Sequence, residues 1–106
     1  MRQKRPEKLT DAQLFLLVES KVADGEYAFT GHSRERQEER FISDIEVLDI
    51  LEGKRERRRN KKKDSYDSVW QNWKYCIEGF NSDSKRIRII VAFDSGLMPI
   101  ITVMWI

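Results

Sequence analysis

The sequence is poor in the residues from which cross-links and metal sites are built. It contains a single cysteine, Cys76, and a single histidine, His32. One cysteine excludes a disulfide within the chain and is typical of a reducing compartment, so we expect a cytoplasmic protein. One cysteine and one histidine are also too few for a structural zinc site. We therefore expect neither a metal ion nor any other cofactor.

Long apolar runs and glycine-rich loops are missing as well. No apolar stretch approaches the roughly 20 residues of a membrane span, and the N-terminus MRQKRPEKLTD lacks the apolar core of a signal peptide. We therefore expect no membrane partner. The sequence also contains no Walker motif, no HExxH pair and no dinucleotide-binding glycine pattern. Nothing in it predicts nucleotide-dependent or zinc-peptidase chemistry.

Charge is abundant and unevenly placed. Charged residues make up 36% of the chain, whose net charge is +2. The segment 54–63, KRERRRNKKK, holds eight basic residues and one acidic residue, or +7, which leaves −5 on the rest. Such a segment favours binding of a polyanion such as RNA; the alternative is a solvated loop between a helix and the sheet. We expect residues 1–9 to be disordered and residues 10–106 to form one domain, with a basic insert at 54–64.

Two capping-box patterns predict where helices begin. One helix begins after Thr10 and ends at Asp24-Gly25, and another begins after Ser43 and ends at Gly53. The apolar residues of the second helix that we expect to face inward are Ile45, Leu48 and Leu51.

In the second half of the chain, apolar side chains recur at every second residue, as they do along a strand. The ranges 68–80, 85–93 and 97–106 are rich in β-branched and aromatic residues, which predicts strands. The last of them is apolar on both faces and is expected to be central under the helices, with Pro99 at a strand start or an edge. The sequence thus predicts an α+β fold in which two or three N-terminal helices pack on a C-terminal antiparallel sheet of three to four strands.

One stretch that is compatible with a helix is polar all round. Residues 32–40, HSRERQEER, contain no apolar side chain, so no apolar stripe can hold such a helix. His32, Arg36 and Arg40 are four residues apart and share one face. Guanidinium groups pair with phosphate and imidazole transfers protons near neutral pH, so this His/Arg row suits phosphate chemistry. The alternative is a solvated helix that only forms ion pairs, such as Arg34 with Glu38 and Arg36 with Glu39.

Four segments together resemble one small bacterial family. They are FTGHSRERQEERFIS, IEGF, RIRIIV and IITV, and the similarity runs from about Tyr27 to Trp105. The family is called domain of unknown function 4258, and its most specific element is His32 with arginines four and eight residues later. Its members are similar in helix–sheet order to the RelE/ParE-like toxins, within the wider barnase–EndoU–colicin–RelE class. The long basic insert and the N-terminal helix depart from the shorter members.

The resemblance implies a toxin-like ribonuclease that cuts RNA, including ribosome-associated mRNA, without a metal. The 2′-hydroxyl would attack the adjacent phosphorus, with His32 as general acid or base and Arg36 and Arg40 stabilising the developing charge. Thr102, in the IITV segment, would orient His32. The RNA-binding candidates lie in the basic insert and on the strands: Arg55, Arg57, Arg58, Arg59, Lys61, Lys62, Lys63, Lys74, Tyr75 and Arg88. The expected partners are RNA and an antitoxin protein from a neighbouring gene.

A second hypothesis from another class remains open. The chain would be a non-catalytic module that binds nucleic acid or a protein, and the His/Arg row would be structural. The two hypotheses differ in the expected position of His32. Catalysis requires His32 in an open groove near the basic insert, whereas a structural role buries the ring among hydrogen-bond partners.

Overall fold

Both capping boxes begin helices where the sequence predicts them. In the computed structural model, which describes residues 5–106, α1 spans Asp11–Ala23 and α3 spans Asp44–Glu52. In each, the N-cap hydroxyl accepts from a backbone N–H three residues on, and that residue's side chain accepts from the N-cap N–H. Gly53 ends α3 at φ 81°, a left-handed conformation that glycine adopts without strain.

Helix α3 turns a different face to the core from the one predicted. Its buried residues are Val47, Ile50 and Leu51, which lie three and four residues apart on one stripe. Ile45 lies off that stripe and is 71% exposed, so the prediction that it faces inward is wrong. Leu48, at the margin of the stripe, is partly buried against the core.

Six strands form one mixed sheet beneath the helices. Their bounds are β1 Tyr27–Phe29, β2 Arg57–Arg59, β3 Ser65–Asp67, β4 Asn72–Phe80, β5 Arg86–Val91 and β6 Met98–Trp105. The order is β1-β6-β5-β4-β2, with β3 paired to the start of β4. The α+β class is confirmed, but the sheet is larger than predicted and is not wholly antiparallel, because β1 pairs parallel with β6. A strand of three residues is too short for alternation to reveal it in the sequence.

The core lies between the helices and one face of the sheet. Ile77, Ile89 and Val103 are aligned across β4, β5 and β6, and all three are fully buried. Close packing of α3 on β4 depends on Gly79, where an added Cβ would lie 2.6 Å from Cγ2 of Ile50. Strand β6 lies between β1 and β5, the central position that its apolar pattern predicts. Within residues 5–106, no helix is long and apolar enough to span a membrane.

The other face of the sheet carries polar and charged side chains. Because side chains alternate along a strand, Arg58, Glu78, Arg88 and Met104 lie abreast on β2, β4, β5 and β6. Thr102, two residues from Met104 and paired with Ile90, belongs to this face as well. We call it the open face, since α1 and α3 pack on the opposite side.

The segment before α1 runs along the sheet. The Leu9 N–H donates to the Tyr75 hydroxyl at 3.1 Å, and the Trp73 indole donates to the Pro6 carbonyl at 2.7 Å. These two bonds attach residues 6 and 9 to β4. The sequence predicts disorder for residues 1–9, and residues 1–4 of that range lie outside the described residues.

Candidate nucleic-acid interface

The polar helix α2 spans Gly31–Arg40 and lies along the edge of β6, just beyond the end of β1. At its start, the Thr30 hydroxyl accepts from the Ser33 N–H and donates to the Ile101 carbonyl at 3.2 Å. At its end, Arg40 Nη1 donates to the Val103 carbonyl at 2.7 Å. Both ends of α2 are therefore attached to β6 by hydrogen bonds rather than by apolar contacts.

The buried face of α2 is also polar. Ser33 and Gln37 are buried, and the Gln37 side chain donates to Asp44 Oδ1 at 2.7 Å. Arg34 Nη1 lies 2.5 Å from the same oxygen. Burial raises the pKa of Asp44, but the hydrogen bonds from Arg34 and Gln37 outweigh it and leave that pKa below its ordinary value. A satisfied polar network thus replaces the apolar stripe that this helix lacks.

The His/Arg row occupies the flank of α2 that faces away from α3. Arg34 and Gln37 contact Asp44 of α3, and Arg36 lies roughly 160° around the helix from Arg34. Since α3 packs on the core side of the sheet, we infer that this flank borders the open face. The helix therefore places His32, Arg36 and Arg40 along one margin of the open face.

The members of the row have different surroundings. His32 is exposed, and its ring takes part in none of the hydrogen bonds or ion pairs formed among residues 5–106. Arg36 Nη1 lies 2.7 Å from Glu39 Oε2, while Arg40 is bound to the Val103 carbonyl. Thr102 is half-buried on the open face, and no hydrogen bond in the described part of the chain joins it to His32. Within that same part, only His32 in this row is free of a partner.

A cluster that the sequence analysis missed lies on the open face, across β2, β4 and β5. The Glu78 carboxylate is 2% exposed, and Arg88 Nε donates to its Oε2 at 2.9 Å. Arg58 Nη2 and Arg86 Nη2 lie 3.3 Å and 3.4 Å from Oε1, and Asn60 donates to Oε2 at 3.0 Å. We call these five residues the Glu78 cluster.

The charge state of Glu78 follows from these partners. Burial raises the pKa of Glu78, but hydrogen bonds from Asn60, Arg88 and Arg58 outweigh it, and the pKa lies below its ordinary value. Glu78 is therefore ionised at neutral pH. The sequence did contain a signal for this cluster: a glutamate inside an apolar strand, followed by the alternating arginines of RIRIIV.

Strand β2 divides the basic insert between the two sides of the sheet. Arg58 lies on the open face, whereas Arg59 has a fully buried side chain, paired at 2.8 Å with the equally buried Asp64. Arg57 donates to the Leu51 carbonyl at the end of α3, lies 3.2 Å from Glu19, and covers the ring of Phe15. Arg57 and Arg59 thus bind the fold together.

The other RNA-binding candidates differ in their exposure and in the side of the sheet on which they lie. Arg55 and the single-turn 3₁₀ helix Lys61–Lys63 are exposed. Lys74 lies on the same side of β4 as Glu78 and is 3.9 Å from Asp67. Tyr75 is buried on the core side. The exposed candidates and Arg58 occupy one edge of the sheet, and the His/Arg row occupies the opposite edge. His32 is therefore neither buried, as a structural role requires, nor close to the basic insert, as the catalytic hypothesis requires.

Two further findings bear on the chemistry of the site. Among residues 5–106, no group of three or more histidine, cysteine, aspartate or glutamate side chains is placed to hold a metal ion. Burial, together with the charge of Glu78, raises the pKa of Cys76 to about 11. A buried thiol with so high a pKa is a poor nucleophile at neutral pH.

Fold and site together define a small α+β protein with a basic open sheet face and a polar helix along one margin of it. The chain belongs to the family described as Domain of unknown function (DUF4258), whose model matches residues 29–105. The resemblance to this family, identified from the sequence, is thereby confirmed. The matched range contains α2, α3 and β2 to β6, whereas α1 precedes it. No curated protein and no solved structure matches the chain.

Proposed function

We propose that this chain is a toxin-like ribonuclease that cleaves RNA without a metal ion, with the RNA lying across the open face. The observation that carries the proposal is the shared side of the sheet. From the helical geometry we infer that the exposed His32 ring lies on the flank of α2 that borders the face on which Arg58 and Arg88 converge. A proton-transfer group beside a field of guanidinium groups is suited to phosphodiester chemistry.

The proposed reaction needs only groups of the RNA, this chain and water. The 2′-hydroxyl oxygen attacks the adjacent phosphorus and the bond to the 5′ oxygen breaks, which leaves a cyclic 2′,3′-phosphate and a free 5′-hydroxyl. His32 either accepts the proton of the 2′-hydroxyl while water protonates the leaving 5′ oxygen, or protonates the leaving oxygen while water accepts the proton of the 2′-hydroxyl. Arg36, one turn along α2, stabilises the charge that develops on the phosphoryl oxygens. Arg40 keeps the row in place through its bond to Val103.

The His/Arg row lies at one edge of the sheet, and Arg58 and the exposed lysines lie at the other. The distance between these edges determines the path of the RNA. Strand β2 is three positions from β6 in the sheet, and at about 4.8 Å per strand the two are roughly 15 Å apart. An RNA strand that contacts both edges must cross the open face with several phosphates. The Glu78 cluster lies on that path, on β2, β4 and β5.

The biological setting of the proposal comes from the sequence resemblance. Similarity of the family to RelE/ParE-like toxins supports a toxin that acts in the cytoplasm on RNA, including ribosome-associated mRNA. The protein partner in that setting is an antitoxin from a neighbouring gene. This part of the proposal is an analogy between families.

One observation favours the second candidate, a nucleic-acid-binding module without catalysis. Arg40 is fixed to Val103 and Arg36 is paired with Glu39, so two members of the row already have structural partners. In this alternative His32 is only a surface residue, and the open face still binds RNA.

The test is cleavage of end-labelled RNA by the purified protein in the presence of a chelator. The ribonuclease proposal predicts fragments with cyclic 2′,3′-phosphate ends and no cleavage of the same RNA carrying 2′-O-methyl groups. RNA that stays intact while it binds would establish the non-catalytic module instead. RNA that is neither bound nor cleaved would contradict both candidates.

A further inference from the structure

We propose that the Glu78 cluster is a phosphate-binding subsite for single-stranded RNA, in which Glu78 is a positioning residue that holds three guanidinium groups together. The inference deepens the proposed function and rests on it for the class of ligand. It does not require cleavage, since binding and catalysis involve different residues of the open face.

The Glu78 cluster carries a net positive charge, and several of its N–H donors are not used on Glu78. Three arginines and one glutamate leave a charge of +2, which the exposed Glu56 nearby reduces to +1. A guanidinium group carries five N–H donors, and only one each from Arg58 and Arg86 is used on Glu78. The side chains of Arg58 and Arg86 are 68% and 40% exposed. The remaining donors therefore reach the surface, where a phosphate can accept from them.

The carboxylate explains how three like charges can converge. Without Glu78, the guanidinium groups of Arg58, Arg86 and Arg88 would repel one another and spread into solvent. With it, each donates to one of two oxygens on the same buried carboxylate. A phosphate then meets donors that are already ordered, so less conformational freedom is lost on binding.

Open hollows on both sides of the cluster provide a path for an RNA strand. The first, of about 300 Å³, is lined by Arg58, Glu78, Phe80 and Arg86. A second, of about 470 Å³, shares Phe80 and Arg86 and extends to Trp105. A third, of about 400 Å³, shares Arg58 and extends to the lysines of the 3₁₀ turn.

The lining of these hollows favours a single strand. Phe80, which strand alternation places on the same face of β4 as Glu78, lines the first two hollows beside Arg86. Unpaired bases stack on aromatic rings while their phosphates pair with arginine and lysine. In a duplex the bases are already stacked on each other, so they offer few free faces on which an aromatic ring could stack.

The first experiment tests the subsite with a probe that cannot be cut. Binding of a fluorescent 2′-O-methyl oligouridylate is measured by anisotropy at several salt concentrations. Arg86→Gln should weaken binding and reduce the salt slope by about 0.7 for each phosphate that the variant no longer neutralises. The matched control is Arg34→Gln, which removes the same charge from a half-exposed side chain on the α3 side of α2 and should leave the slope unchanged. Equal slopes for the two variants would overturn the subsite.

The second experiment tests the positioning role of Glu78. Glu78→Gln removes a negative charge and so raises the net charge by one, which means that a diffuse electrostatic surface would bind the probe more tightly. Positioning predicts the opposite, a loss of about tenfold, the size of one charge-assisted hydrogen bond. The comparison is made well below the melting temperature of each variant. Binding as tight as that of the parent protein, or tighter, would overturn the positioning role.

Arg88→Lys provides the same test in case Glu78→Gln does not fold. It keeps the charge but removes the Nε donor that contacts Glu78. Weaker binding of the probe by this variant supports positioning, and unchanged binding contradicts it. Inorganic phosphate should compete with the probe only at a far higher phosphate concentration than unlabelled oligouridylate does. Equal potency of the two competitors would overturn the assignment to single-stranded RNA.

Discussion

Arg88 Nε lies 2.9 Å from Glu78 Oε2, directly across the ladder that joins β4 and β5. This bond places an ionised carboxylate at the centre of a basic sheet face. Both the stability of the fold and the proposed binding of RNA should therefore respond to the charge of Glu78.

The first prediction concerns acid. The pKa of Glu78 lies below its ordinary value of 4.5 in the folded protein, so the ionised form stabilises the fold above that value. This stability should be lost as the pH falls through the lower folded pKa. The melting temperature of the parent protein should thus fall more steeply below about pH 5 than that of Glu78→Gln. Thermal melts across this range check it, and parallel curves for the two proteins would contradict it.

The second prediction concerns Gly79. A methyl group there would lie 2.6 Å from Ile50 Cγ2 and 3.0 Å from the Glu56 carbonyl, so α3 would have to move off the sheet. Gly79→Ala should destabilise the protein by roughly 1–3 kcal/mol in urea unfolding. Gly31→Ala, in the first turn of α2 with no heavy atom within 4 Å of the new methyl group, is the control and should not destabilise. A loss of the same size in both would rule out the steric explanation.

The third prediction separates two arginines of the His/Arg row. Arg40→Gln removes the donor to the Val103 carbonyl and should cost about 1–2 kcal/mol. Arg36→Gln removes only a surface ion pair with Glu39, which is worth at most about 0.5 kcal/mol. Denaturant unfolding of both variants measures the difference. Equal losses would show that Arg40 does not anchor α2.

The fourth prediction concerns the basic insert. Replacement of Lys61, Lys62 and Lys63 by serine should weaken RNA binding for all sequences and flatten its salt dependence, with little change in stability. Arg59→Gln should instead destabilise the fold by roughly 3–5 kcal/mol, because it leaves the buried Asp64 without its closest partner. Salt titrations and thermal melts of both proteins check the contrast. Unchanged affinity of the lysine variant at low salt would show that the turn is merely solvated.

Local signals in the sequence predicted the helices well. The capping boxes at Thr10 and Ser43 act within a few residues of the chain, so they can be read without knowledge of the fold. The inner face of α3 was predicted less well. Several of its positions are apolar, and contact with the sheet decides which of them are buried.

The parts that sequence reasoning missed depend on strand pairing. Strands β1, β2 and β3 have three residues each. They are held in place by hydrogen bonds to the longer strands β4 and β6. Since β2 was not predicted, the division of Arg57, Arg58 and Arg59 between two sides of the sheet was not predicted either. The contact between Glu78 and Arg88 likewise requires the register of β4 and β5, which alternation alone does not give. The shared flank of His32 and Arg36 follows from helical spacing, which is why it was predicted.

The most direct test of the proposed chemistry is single-turnover RNA cleavage by His32→Gln, with a thermal melt and probe binding on the same preparation. His32 is exposed and bonded to no other described residue, so glutamine should leave the melting temperature and the affinity for 2′-O-methyl RNA unchanged. Because glutamine cannot transfer a proton, cleavage should fall by about 10²-fold or more. A folded His32→Gln protein that cleaves RNA at the parental rate would contradict the assignment of His32 as the acid or base.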